Sequence, residues 1–133
     1  MPKSITGRRE GRPDYSKIYH RVAISDYRTG QESYVIKGYL YLLGQTWDIK
    51  SFHIEKTTYI KGILITAGAN VLLDTYIMVN NEYVAFKYGW GKVEYYFPAA
   101  IRIEEDSTLK VYVANWGSVN VFVDILIEGH TEI

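Results

Sequence analysis

Three histidines, His20, His53 and His130, are the side chains of this 133-residue sequence best suited to bind a metal ion or to transfer protons. They lie on three distant segments, and no two of them have the HxH or HxxxH spacing that places imidazoles side by side. No serine lies in a GxSxG elbow, and the glycines beside Trp90 do not form a phosphate-binding loop. The sequence therefore predicts no catalytic residue, no metal site and no cofactor. An enzyme of the cupin or lyase type is a less favoured alternative.

The acidic stretch Glu104, Glu105 and Asp106 carries the oxygen ligands that calcium prefers. Its spacing does not follow that of a calcium-binding loop, so a solvated turn is the favoured interpretation. The chain contains no cysteine, which excludes disulfides, thiolate metal sites and a cysteine nucleophile.

The chain has 15 basic and 15 acidic residues, so no net field steers it toward nucleic acid or an anionic membrane. Residues 1–18 are nevertheless basic, with candidate contact residues Arg8, Arg9 and Arg12. Glycine and proline interrupt this stretch and it has no apolar periodicity, which predicts an extended arm. Two interpretations remain open: a frayed tail, or an arm that lies on a neighbouring subunit or on nucleic acid. Nucleic acid is the weaker partner, since few charges without interleaved aromatics bind weakly and with strong salt dependence.

No apolar run approaches the roughly 18 residues of a membrane span, and the first residues lack the apolar region of a secretory signal. We therefore expect a protein made in the cytoplasm. The abundance of tyrosine, isoleucine, lysine and glutamate, with two glutamines and no cysteine, favours a thermophilic source.

The most regular pattern covers residues 108–128, where aliphatic side chains recur at every second position on both sides of a turn at residues 115–118. A period of two predicts two β-strands, paired here as a hairpin, with one continuous aliphatic row. A two-stranded ribbon does not shield such a row from water, so a second sheet must cover it. We expect Val111 and Val121 to be among the most buried residues, together with Leu73 and Ile77 of a similar segment.

Further strand patterns are separated by glycine, asparagine or proline. The other predicted strands are residues 19–25, 33–43, 47–55, 59–66, 71–79, 82–88 and 93–97, with a tight turn at Asn80 and Asn81 and a stop at Pro98. The predicted fold is an all-β, two-sheet antiparallel β-sandwich over residues 19–133, preceded by the extended arm. Eight strands favour a jelly roll, and an immunoglobulin-like sandwich with about seven strands is the alternative.

Five aromatic side chains share strand parity with charged residues and are therefore predicted to project from the outer sides of the sheets: Tyr39, Tyr41, Tyr76, Tyr112 and Phe122. Outward tyrosines also stabilise strands and cover cross-strand neighbours, so a purely structural role is the competing interpretation. Aromatic rings bury large areas at low entropic cost in protein interfaces. We interpret the five residues as a contact surface for partner subunits.

Trp90 and Trp116 lie beside glycine in predicted turns. Exposed indole rings can stack on sugar rings, which makes these two residues candidate glycan contacts. Tryptophans in turns also plug the open end of a β-sandwich. A carbohydrate-binding β-sandwich module is therefore the main alternative function.

Residues 59–129 resemble a family of virus proteins in the order of their segments: ITAGANVLLDTYIMVN, a short YYFP strand, IRIEEDSTLKVYVAN and a closing VNVFVDILIEG. These segments are similar to small jelly-roll-like virion proteins of tailed phages and archaeal viruses, of the capsid-decoration, head-fibre and minor capsid types. The resemblance implies a non-enzymatic structural subunit that forms homo-oligomers and contacts neighbouring capsid proteins, with the N-terminal arm as one contact. It also implies a location in the virion after synthesis in the host cytoplasm.

Overall fold

The computed structural model describes residues 3–4 and 31–132. Arg8, Arg9, Arg12, His20 and the strand predicted at residues 19–25 lie outside the described residues. The described chain forms nine β-strands: β1 (Lys3–Ser4), β2 (Gln31–Leu42), β3 (Thr46–Ile54), β4 (Thr58–Ala67), β5 (Leu72–Val79), β6 (Glu82–Trp90), β7 (Lys92–Ile103), β8 (Ser107–Asn115) and β9 (Val121–Glu132). No helix in this part of the chain is long and apolar enough to span a membrane.

The strands form two antiparallel sheets, ordered β1-β3-β8-β5-β6 and β2-β9-β4-β7. Pairs that are distant in sequence are nested around the β5–β6 hairpin: β4 pairs with β7, β3 with β8, and β2 with β9. Alternate pairs belong to alternate sheets, which is the strand order of a jelly roll, a long antiparallel ribbon folded over on itself. Lys3 and Ser4 of the predicted arm pair with Trp47 and Thr46 at one sheet edge. The predicted all-β jelly-roll sandwich is confirmed.

The two strands predicted at residues 108–128 form, but the prediction that they pair with each other as a hairpin is wrong. β8 lies between β3 and β5, whereas β9 lies between β2 and β4 of the other sheet. Residues 116–120 therefore cross from one sheet to the other, and both aliphatic rows point into the shared core. Alternation determines which face of a strand is apolar, but it does not identify the hydrogen-bonded neighbour.

The predicted stop at Pro98 is wrong, and the predicted break at residues 89–91 is confined to Gly91. β6 continues through Trp90, and β7 continues through Pro98 to Ile103. Proline lacks an N–H group, but β7 is an edge strand, where a missing donor is tolerated. The register between β4 and β7 also shifts near this point, as in a β-bulge. Gly91 alone makes the β6–β7 turn, with a φ of 71°.

The predicted turn at Asn80 and Asn81 is confirmed. Both residues have positive φ values, 47° and 68°, as the two central residues of a type I′ hairpin turn require. The Asn80 side chain also accepts a hydrogen bond from the backbone N–H of Thr108, which ties the hairpin to β8.

The core contains aliphatic side chains from both sheets and a small buried hydroxyl network. The four residues predicted to be most buried, Leu73, Ile77, Val111 and Val121, are each at most 3% exposed. The hydroxyl groups of Thr75 and Tyr95 lie 2.7 Å apart, and the Thr75 hydroxyl donates to the carbonyl of Lys87. This network joins the two sheets and satisfies polar groups that would be costly to bury without partners.

Candidate interaction surfaces

The described residues bring together no group of three histidine, aspartate or glutamate side chains that could hold a metal ion. His53 Nε2 lies 3.5 Å from Asp106 Oδ1, and both side chains are exposed. His130 belongs to the other sheet, where it stacks on Tyr59 with ring centroids 5.4 Å apart. These two histidines therefore lie on different sheets and do not form one site.

A polar cluster surrounds Arg102 on the outer side of the four-stranded sheet. The Arg102 Nε group donates to the Tyr59 hydroxyl at 3.3 Å, and Nη1 lies 3.3 Å from Glu104 Oε2. The hydrogen bond to Tyr59 raises the pKa of Arg102, and the neighbouring Glu104 carboxylate acts in the same direction. Both contacts favour the charged guanidinium, and such exposed pairs contribute little stability.

Three of the five predicted aromatic contact residues meet on the outer face of the four-stranded sheet. Tyr41 of β2 is directly opposite Phe122 of β9, and their ring centroids are 4.7 Å apart. Tyr39 follows on the same side of β2, opposite Asp124. All three rings are exposed, as predicted. We call Tyr39, Tyr41 and Phe122 the β2–β9 cluster.

The other two predicted aromatic contact residues, Tyr76 and Tyr112, lie on the outer face of the five-stranded sheet, as predicted, but they are buried there. Tyr76 is 0% exposed and Tyr112 is 6% exposed. Their rings stack with centroids 4.4 Å apart, and the rings of Tyr83 and Trp47 pack against them on either side. Strand parity placed these residues on the correct face, but it could not reveal that neighbouring aromatics surround them.

The largest exposed row of aromatic side chains lies on β6, and of its residues only Trp90 was predicted from the sequence as a candidate contact. On edge strand β6, the exposed fraction of each aromatic side chain lies between 57% and 68%, and the register directs all four toward the outer face: Tyr83, Phe86, Tyr88 and Trp90. Val84 is an extra residue in the pairing with β5, so the bulge moves Tyr83 onto the face of the even-numbered rings. The recurrence of aromatics at positions 86, 88 and 90 was the available signal. We call these four residues the β6 row.

Loops gather at one end of the sandwich and position both candidate glycan residues. Buried Asn115 donates to the carbonyls of Leu43 and Val119 and accepts from the backbone N–H of Gly117, which fixes the chain around Trp116. The backbone N–H of Trp116 donates to the carbonyl of Leu72, and Leu72 is opposite Trp90. Trp90 and the backbone of Trp116 therefore lie next to the same residue of β5. Trp90 is exposed, whereas Trp116 is half-buried against the core.

No protein-family model matches the sequence, and no curated protein matches it. Among solved structures, the chain is similar to the plu4264 protein from Photorhabdus luminescens, with a TM-score of 0.28 and 12% sequence identity. The alignment covers 80% of this chain and 68% of that chain. A likeness of this size carries no argument about function, so the surfaces are interpreted from their own chemistry.

Proposed function

We propose that this chain is a non-enzymatic structural subunit of a virus particle, of the capsid, capsid-decoration or fibre type, that associates with copies of itself and with other capsid proteins. The observation that carries the proposal is the pair of exposed aromatic surfaces on opposite outer faces of the sandwich. The β2–β9 cluster lies on the four-stranded sheet, and the β6 row lies on the five-stranded sheet. A subunit with two such faces can contact two neighbours at once, as repeated assembly requires.

The size of the two surfaces supports an assembly role. Given the area that buried aromatic side chains contribute, each surface offers roughly 300–600 Å² of aromatic contact. Stable interfaces bury about 800 Å² on each partner, with aromatic residues enriched at their centres. Each surface is therefore large enough to form the centre of an interface, and neither is enclosed like a substrate pocket.

Static light scattering tests the proposal. We expect the full chain to have a mass that is a defined multiple of the monomer mass, and we expect deletion of residues 1–17 to reduce it if the basic arm is a contact. Phe122→Ala is expected to cost about 1–2 kcal/mol of association free energy, because it removes an exposed ring from the centre of a contact.

Tyr96→Ala is the matched control, because Tyr96 is an exposed ring on the same sheet outside both surfaces. It is expected to leave the mass unchanged. A monomeric full chain at every salt and protein concentration would contradict the assembly proposal.

Carbohydrate binding is the second candidate function, and the exposed indole of Trp90 favours it. If this indole stacks on a sugar ring, Trp90→Ala is expected to weaken polysaccharide binding by about tenfold, which corresponds to about 1.4 kcal/mol. Affinity electrophoresis with immobilised polysaccharides measures the loss, and Tyr96→Ala again serves as the control. No retardation of the unmodified chain by any polysaccharide would remove this candidate.

A further inference from the structure

The described part of the chain has four sheet edges, β1, β6, β2 and β7, and they differ in how well they resist pairing with another strand. β7 carries Pro98, charged side chains and a register shift, all of which discourage pairing. β1 has two residues. β2 carries the charged residues Glu32 and Lys37.

The β6 edge has few of these protections. Between Ala85 and Trp90, Lys87 is the one charged residue, and there is no proline. The Lys87 Nζ group donates to the carbonyl of Glu94 at 2.7 Å, so its charge is directed toward β7 rather than across the edge. β6 pairs with β5 alone among the described strands. No described strand follows on its other side, so β6 lies at the sheet edge, beside exposed aromatic rings.

We propose that β6 pairs antiparallel with β6 of a second copy of this chain about a two-fold axis centred on Tyr88. The outer faces of the two copies must lie on the same side of the combined sheet. Directly opposite residues share a face, so the two-fold axis must pass through a residue that pairs with its own copy, and not between two residues. An axis at Tyr88 pairs Tyr88 with its own copy, Phe86 with the second copy's Trp90, and Lys87 with the second copy's Gly89. The resulting interface is isologous and extends the aromatic rows across a continuous sheet.

Charge and the bulge favour this register over its neighbours. An axis at Lys87 would place two lysines directly opposite each other, which is destabilising. An axis at Phe86 would bring the bulged residue Val84 into the ladder, where its pairing is irregular. The Tyr88 axis keeps the regular part of β6 paired and opposes rings with rings. Aromatic cross-strand pairs are among the stabilising pairs of antiparallel sheets.

This inference rests on the proposed assembly function, and it assigns one of the assembly contacts to a second copy of the chain. Because the sequence has no cysteine, a single introduced thiol reports on the contact. Directly opposite residues have Cα atoms about 4.5–5.5 Å apart. That separation lies within the range of about 4.4–6.8 Å for disulfides. Tyr88→Cys is therefore expected to form a disulfide-linked dimer under mild oxidation, at least about tenfold faster than a control thiol away from the axis.

Tyr96→Cys is the matched control, because Tyr96 is 70% exposed and Tyr88 is 68% exposed, and both are tyrosines on edge strands. A second variant, Tyr88→Lys, opposes two charges on the axis and is expected to raise the dissociation constant of this contact at least about tenfold. Light scattering measures the change, and circular dichroism confirms folding of the variants.

The two proposals can fail separately. Equal cross-linking rates for Tyr88→Cys and Tyr96→Cys would overturn the β6 contact. If the unmodified chain nevertheless forms an oligomer that Phe122→Ala weakens and Tyr88→Lys does not, the assembly function stands and a different surface mediates it. Fast cross-linking of Tyr88→Cys together with a smaller mass for Tyr88→Lys would establish the two-fold contact.

Discussion

Replacing Leu73 by alanine is expected to lower the free energy of unfolding by about 2–5 kcal/mol. Leu73 is fully buried on the inner face of β5, opposite Asn115 of β8 and Gly89 of β6. The truncation loses the transfer free energy of the removed atoms and leaves a cavity between two sheets that cannot close completely. Urea unfolding followed by tryptophan fluorescence measures the difference.

Val119→Ala is the control for this experiment. Val119 is half exposed in the loop between β8 and β9, so its truncation is expected to change the free energy of unfolding by less than about 0.5 kcal/mol. A similarly small effect for Leu73→Ala would show that the inner and outer faces of β5 have been assigned the wrong way round.

Replacing Gly129 by alanine is expected to cost about 3 kcal/mol or more, the upper end of what overpacking usually costs. A Cβ atom at this position in β9 would overlap the carbonyl group of Tyr59 and lie 3.0 Å from Cα of Ile60. These are backbone atoms of β4, held between β9 and β7, so they cannot move aside as a flexible side chain can. Thermal unfolding should show a melting temperature lower by about 10 °C.

Gly68→Ala is the matched glycine substitution. A Cβ atom at Gly68 would lie 3.7 Å from the carbonyl oxygen of Phe122, an ordinary van der Waals distance. The expected change is within about 1 kcal/mol and includes a small stabilising effect from the reduced entropy of the unfolded chain. An equal loss at both positions would mean that the close approach of β4 to Gly129 is not what constrains this residue.

Strand parity correctly predicted the face of the sheet on which each aromatic side chain lies, but not whether that side chain is exposed. It placed Tyr39, Tyr41 and Phe122 on the outer face of a sheet, where all three are exposed. It placed Tyr76 and Tyr112 on an outer face as well, but these two stack on each other within a group of rings and are buried. Parity follows from the geometry of one strand. Exposure depends on what neighbouring strands contribute, and a single strand's sequence does not contain that information.

The β6 row shows how one irregular residue hides a surface. The bulge at Val84 changes the side to which Tyr83 points, so the four aromatics do not share a parity in the sequence. The bulge can be recognised only from the pairing of β6 with β5. The order of the described strands also shows that β6 lies at the edge of its sheet. A surface formed by an edge strand can be recognised once the neighbours of that strand are known.

The sequence by itself determined the all-β class, the sandwich, most strand positions, the Asn80–Asn81 turn and the most buried aliphatic residues. These properties depend on alternation and on local backbone preferences, which are written in consecutive residues. The tertiary structure alone decided that β8 and β9 belong to different sheets and that β7 continues through Pro98. It also decided that Tyr76 is buried and that the β6 row lies on a sheet edge. These properties depend on which distant strands pair, and period-two alternation is the same for every partner that a strand could have.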